Sequence, residues 1–131
     1  MSYALNRDIR SFPALTALTG YRIAAAAATL GALRDASAPS DSLVGVIERV
    51  GAEPGQMGDV TVAGETEVEA GGDLDFNDPI TADADGRAVK AVAGAAGSTV
   101  HIIGWMRSPE AVAGDIVRIH VSPSIIVTPA A

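Results

Sequence analysis

The residues best equipped for chemistry lie between Gly71 and Lys90, in the stretch GGDLDFNDPITADADGRAVK. Five aspartates (Asp73, Asp75, Asp78, Asp83 and Asp85) could offer oxygen ligands to a hard cation such as calcium. An EF-hand loop needs ligands at positions one, three and five, a glycine at six and a bidentate Glu at twelve. With Gly86 at position six, Thr81, Asp83 and Asp85 take positions one, three and five. Val92 then falls at twelve, where it cannot ligate. No helical period flanks the stretch. It reads instead as a turn in which Asp side chains bond their own backbone, with Asp83-Ala84-Asp85-Gly86 as a hairpin tip.

The other candidates are weaker. His101 and His120 lie in strand-like runs and could share a metal with a carboxylate across neighbouring strands, but no spacing signature supports this. Paired carboxylates could hydrolyse a glycoside. A substrate cleft, however, usually has aromatic walls, and the only aromatics are Tyr3, Phe12, Tyr21, Phe76 and Trp105. No serine sits in a nucleophile elbow, and Gly94-Ala95-Ala96-Gly97 is too simple for a phosphate loop. The chain has no Cys, which excludes disulfides, thiol catalysis and Cys-zinc sites. The expectation is a protein that is not an enzyme and holds no cofactor and no metal.

The elements that would position these residues read as strands. Leu43 to Val50 is β-branched and apolar. Asp59 to Ala70 alternates, with Val60, Val62 and Val68 on one parity and Thr61, Glu65, Glu67 and Glu69 on the other. That is a half-buried antiparallel pattern with an acidic outer face, broken or bent at Gly64. Pro79 to Thr81, Arg87 to Val92, Thr99 to Met106 and Asp115 to Val121 follow, with loops between them. Gly20 to Leu33 is ambiguous: its five consecutive alanines favour a helix. A helix there would have no stripe of large apolar residues, so a strand of small side chains is preferred. Ala36 to Ser42 is a loop by composition. Leu43-Val44-Gly45-Val46, followed by Gly58-Asp59-Val60, is echoed by Ile102-Ile103-Gly104-Trp105, followed by Gly114-Asp115-Ile116. The echo is consistent with a duplicated hairpin.

The expected fold is therefore all-β: a small β-barrel or β-sandwich of about seven to eight short antiparallel strands. It divides into an N-terminal arm over residues 1–18, a β domain over 19–121 and an extended C-terminal tail over 122–131. With aromatics at 4% of the chain, the core must be built from Val, Ile, Leu and Ala.

Charge narrows the partners. The net charge is −7, and residues 51–86 carry ten carboxylates and no Lys or Arg. Residues 1–34 carry Arg7, Arg10, Arg22 and Arg34 against Asp8 alone. An acidic body argues against nucleic-acid binding. The basic N-terminal segment suits an acidic protein surface. Ile23 to Leu33, followed by Ala36-Ser37-Ala38, imitates a secretory signal. Arg34 and Asp35 intervene, though, and the run is alanine-rich and too short to span a membrane.

Five pieces of the second half carry a family resemblance. They are Leu43-Val44-Gly45-Val46, Glu67 to Gly72, Asp78 to Val89, Ile103-Gly104-Trp105 and Ala113 to Ile119. In this order and spacing, over about residues 43–121, the chain resembles the capsid decoration (cement, or head-decoration) proteins of tailed bacteriophages. Trp105 to Pro109 departs from the family, which has an alanine-rich segment there. The resemblance implies a structural protein made in the host cytoplasm and carried on the outer surface of the virion. There it would clamp neighbouring major capsid proteins, with no nucleic acid and no membrane as partner. It also implies self-association, as a homotrimer by preference or a homodimer. Apolar and basic residues outside the barrel pattern are the expected capsid contacts: Leu5, Arg7, Ile9, Arg10 and Phe12 in the arm, and Ile125, Ile126 and Val127 in the tail. The alternative is a small β-barrel carrier domain of the biotinyl or lipoyl kind, modified on Lys90. Lys90 follows the Asp-Gly turn by four residues, so it would lie down the strand and not at the tip, and it lacks the flanking residues of those motifs.

Overall fold

The alternating run in the middle of the chain is the long central strand of an all-β fold. The computed structural model describes residues 7–130. Its strands are β1 (Arg7–Pro13), β2 (Ile23–Ala26), β3 (Leu33–Asp35), β4 (Leu43–Ile47), β5 (Met57–Glu69) and β6 (Leu74–Asp75). They continue with β7 (Pro79–Ala82), β8 (Ala88–Lys90), β9 (Thr99–Met106), β10 (Glu110–Ala111) and β11 (Ile116–Val127). Among the described residues no helix forms. Eight strands follow the order β3-β2-β4-β5-β11-β9-β7-β8, all in antiparallel pairs, and curl into an open half-barrel. β1 adds to β5, and β6 and β10 form a separate two-stranded ribbon.

The alanine run becomes strand β2 and the turn after it, not a helix. Small side chains are what this position needs. β2 lies between β3 and β4, and Ala24 and Ala25 are both fully buried, each against a different apolar cluster. Among the described residues, the main core holds no aromatic side chain. Leu43, Val46, Val68, Leu74, Ile80, Ile103, Met106, Val117, Ile119 and Val121 fill it together with alanines. A smaller cluster of Ala14, Leu18, Ala24, Leu33, Ile47 and Val60 lies beside it.

One detail departs from the alternation. Thr61, on the parity read as outward, is fully buried. The first half of β5 is flanked by β4 and β1, and Thr61 is enclosed between them while Asp59 and Ala63 of the same parity stay exposed. Val60 packs in the smaller cluster, while the Thr61 hydroxyl donates to Glu48 Oε1 at 2.8 Å. The hydroxyl is satisfied, so its burial carries little penalty.

The sequence echo corresponds to shared geometry. A side chain at Gly45 would collide with the Thr61 carbonyl oxygen, and one at Gly104 with the His120 carbonyl oxygen. Each glycine thus lets its strand approach the carbonyl sixteen residues further along. The β4–β5 and β9–β11 pairs use the same close approach.

The Asp83–Gly86 turn ties the far end of the sheet back to β2. The Ile23 N–H donates to the Gly86 carbonyl (2.8 Å), and Arg22 donates to the Asp85 carbonyl (2.8 Å). Glu69 lies 3.6 Å from Arg22 and 3.9 Å from Arg87. Asp83 Oδ1 accepts from the N–H groups of Asp85 and Arg87, as expected of a self-bonded Asp turn. Its other oxygen faces the Arg87 side chain at 3.3 Å.

The loop over residues 36–42 is organised by Asp41. Its Oδ2 accepts from the N–H groups of Ser37 and Ala38 and from the Arg34 guanidinium, at 2.8, 3.1 and 3.1 Å. From this loop the Pro39 carbonyl accepts the His101 N–H, joining the loop to β9. Burial pushes the Asp41 carboxyl up, but the bonds from Arg34 and Ser37 and the Arg34 charge outweigh it. The group is left below the usual aspartate value. A folded-state pKa below the unfolded one stabilises the native state above the ordinary Asp range, and that contribution fades as pH falls through the lowered value. Asp41→Asn is therefore expected to lose about 1–2 kcal/mol at neutral pH, measured by urea unfolding. Its deficit against wild type should shrink in acid.

Candidate functional site

The two segments expected to make contacts are brought to one place by β5. β11 pairs with the second half of β5, from Ile116 opposite Glu69 to Val121 opposite Gly64. β1 pairs with the first half, from Arg7 opposite Gly64 to Pro13 opposite Met57. Both run antiparallel to β5, so they run in the same direction as each other. At Gly64, which has a φ of 94°, β5 exchanges one partner for the other. Beyond Val121, β11 leaves β5 and, among the described residues, pairs with β9 only, from Ser124 opposite Ile102 to Val127 opposite Thr99. The sheet therefore forks at Gly64, with β1 on one prong and the end of β11 on the other.

This placement changes how the arm and tail are understood. Residues read as an arm without a period form a paired strand from Arg7 onward, and the tail extends β11. The arm shows no alternation because its side chains are almost all exposed, so burial leaves no pattern in the sequence. Leu5 lies outside the described residues. Arg7 lies 3.6 Å from Glu48, and Arg10 is held by both oxygens of Asp8 at 3.1 and 3.2 Å. That hydrogen bond, with the Asp8 charge, raises the Arg10 pKa. Ile9 is 42% exposed. Phe12 packs against the smaller apolar cluster, and Ile126 packs against Ala91, Val100 and Ile102. Those two side chains anchor the prongs. Ile125 and Val127 stay exposed, at 53% and 59%.

The alternative chemistries find little support in the geometry. His120 stands opposite Trp105 on β9, four residues along that strand from His101. At strand spacing the two imidazoles are on the order of 13 Å apart, too far to share an ion. Among the described residues no three His, Asp or Glu side chains cluster as metal ligands. Lys90 ends β8 opposite Ile80, away from the hairpin tip, with its Nζ 3.7 Å from Asp78.

Sequence reasoning missed one feature. An open groove of about 590 Å³ is lined by Asp73, Leu74, Asp75, Glu110, Ala111, Val112 and Asp115. Two segments more than thirty residues apart build it through the β6–β10 pairing. The density of carboxylates near Asp73 was visible, but nothing local pointed to Glu110 and Asp115 as neighbours.

No protein-family model matches the chain, and no curated protein matches it in sequence. In fold it is similar to a solved structure, the N base of the head fiber gp8.5 of bacteriophage phi29. The TM-score is 0.61 with 21% identity, over 88% of this chain and 93% of that one. At that identity the likeness is one of fold. It spans nearly the whole chain, including segments outside the motif resemblance at residues 43–121.

Gly64 is the point on which the fork turns, and its positive φ disfavours a β-branched side chain. Gly64→Val should lower stability by about 1–3 kcal/mol in urea unfolding, and Gly64→Ala by less. Wild-type stability in Gly64→Val would show that the native backbone does not make this left-handed turn.

Proposed function

We propose that this chain is a structural protein of a tailed-phage virion. It is carried on the outer surface of the head, where it binds the major capsid protein and holds neighbouring subunits together. The observation that carries the reading is the fold shared with a phage head-fiber base over most of both chains. The motif resemblance to capsid decoration proteins points to the same place. The chemistry is consistent with it: the geometry favours neither the metal loop nor the modified lysine.

In this reading the fork faces the shell. Exposed Ile9, Ile125 and Val127 present apolar surface on an otherwise acidic molecule, and Arg10 beside them is paired with Asp8. A small oligomer, with a homotrimer on a threefold axis as the favoured form, would touch several capsid subunits at once. Weak contacts then combine through effective concentration, and the pressure of packaged genome works against all of them together.

Deleting the arm is a poor test, because β1 is a paired strand of the sheet. Point changes on its exposed positions are cleaner. The double variant Ile9→Glu, Arg10→Glu should keep the wild-type melting temperature and bind purified capsids at least about tenfold more weakly in co-sedimentation, a loss of roughly 1.4 kcal/mol. Unchanged binding would remove the arm from the contact.

A further inference from the structure

The two prongs of the fork differ in how their open edges are protected. β1 carries Arg7, Asp8 and Arg10, and charges on an edge strand discourage further pairing. The end of β11 carries no such guard. From Val121 to Ala131 there is no charged side chain, in a molecule of net charge −7. The segment Ser124-Ile125-Ile126-Val127-Thr128 is rich in β-branched residues. Among the described residues, its only strand partner is β9.

The hydrogen bonds show which groups lie on the open edge. Thr128 faces β9 with both its backbone groups: its N–H donates to Ser98 and its carbonyl accepts from Gly97, at 3.0 and 2.8 Å. Backbone groups alternate along a strand, so Ile126 and Ser124 also face β9. The N–H and C=O groups of Ile125 and Val127 therefore point to the open edge. Their side chains are also exposed, while Ile126 packs inward.

The segment is chemically symmetric about Ile126. Ile125 mirrors Val127, Ser124 mirrors Thr128, and Pro123 mirrors Pro129. In a twofold interface each residue meets its mirror position in the second copy, so this near-palindrome would place like side chains opposite like.

We propose that Pro123–Pro129 pairs antiparallel with the same segment of a second copy, about a twofold axis through Ile126. Ile125 then stands opposite Val127 of the second copy and exchanges both backbone bonds with it, and the symmetry repeats the pair. The exposed Ile and Val side chains meet on one face; on the other the Thr128 hydroxyl, which donates to the Gly94 carbonyl of its own chain, is left to accept from Ser124 of the second copy. At each end Pro123 stands opposite Pro129. Neither has an N–H to leave unpaired, so the prolines set the length of the ladder. The uncharged tail is also where two acidic copies can approach with least repulsion. The inference goes beyond the virion reading and does not rest on it. In free solution the contact makes a dimer, and the threefold grouping of the virion reading would arise only on the shell.

The test uses the full chain in solution, without capsids, so its failure would leave capsid binding untouched. Sedimentation velocity over a concentration series should show twice the chain mass of 13.2 kDa. Val127→Pro removes an edge N–H and no bond to β9, and Ile125→Lys places a charge on the edge. Each should return the protein to the single-chain mass with its melting temperature little changed. The chain has no Cys, so a single one reports cleanly. Ile126→Cys meets its own copy at a non-hydrogen-bonded pair, about 4.5 Å between Cα atoms, and should form an interchain disulfide under mild oxidation. Ser11→Cys on β1 should not. A wild-type chain that stays single and gives no Ile126→Cys cross-link would overturn the proposal. So would an oligomer that survives Val127→Pro or lacks that cross-link.

Discussion

One strand cannot pair with two partners on the same stretch of one edge, and the architecture follows from how β5 meets that constraint. Its second half is taken by β11 and its first half by β1, and the exchange falls at Gly64. A residue in the left-handed region turns the strand there. Because β1 occupies the first half, the last residues of β11 must leave β5 and, among the described residues, pair with β9 only. The core can then be built from small aliphatic residues on one side of the exchange, and an open sheet edge is left on the other.

Much of this was legible in the chain. The alternation over residues 59–70 and 115–121, the Asp83–Gly86 turn and the scarcity of aromatics led to an all-β fold with an aliphatic core. The echo at Gly45 and Gly104 reads as a duplicated hairpin, and in the fold both glycines lie where neighbouring strands approach closely. Alternation failed in two places. Thr61 is buried between β4 and β1, beside Glu48, although Asp59 and Ala63 of the same parity stay exposed, and β1 shows no period because both of its faces are largely solvated. Neither condition is local. The acidic groove is hidden for the same reason: Asp73 and Glu110 become neighbours only through the β6–β10 pairing. The candidate contact residues were chosen for lying outside the barrel pattern. Those among the described residues sit instead on strands, some as anchors (Phe12, Ile126) and some as exposed positions (Ile9, Ile125, Val127).

The charges of the molecule have a structural part and a solvated part. Asp41 gathers its loop, and Asp83 and Glu69 join Arg22 and Arg87 where the hairpin returns to β2. These bonds hold ends that the open half-barrel would otherwise leave loose. The remaining carboxylates, around the groove and along the outer face, keep the body strongly acidic. The two prongs differ: on β1 the arginines are paired with Asp8 and Glu48, and Ser11 bonds Asp59, whereas the end of β11 is an uncharged apolar edge. Such a distribution suits a molecule that attaches to other proteins by its prongs and stays soluble through its acidic surface.

The proposed virion role is tested most directly by an electron cryomicroscopy reconstruction of the phage heads to which it assigns the chain. The account predicts half-barrel density on the outside of the shell, with β1 and the end of β11 in contact with the major capsid protein or with a second copy. Heads without that density, or a molecule seated through its acidic outer face with both prongs in solvent, would contradict it.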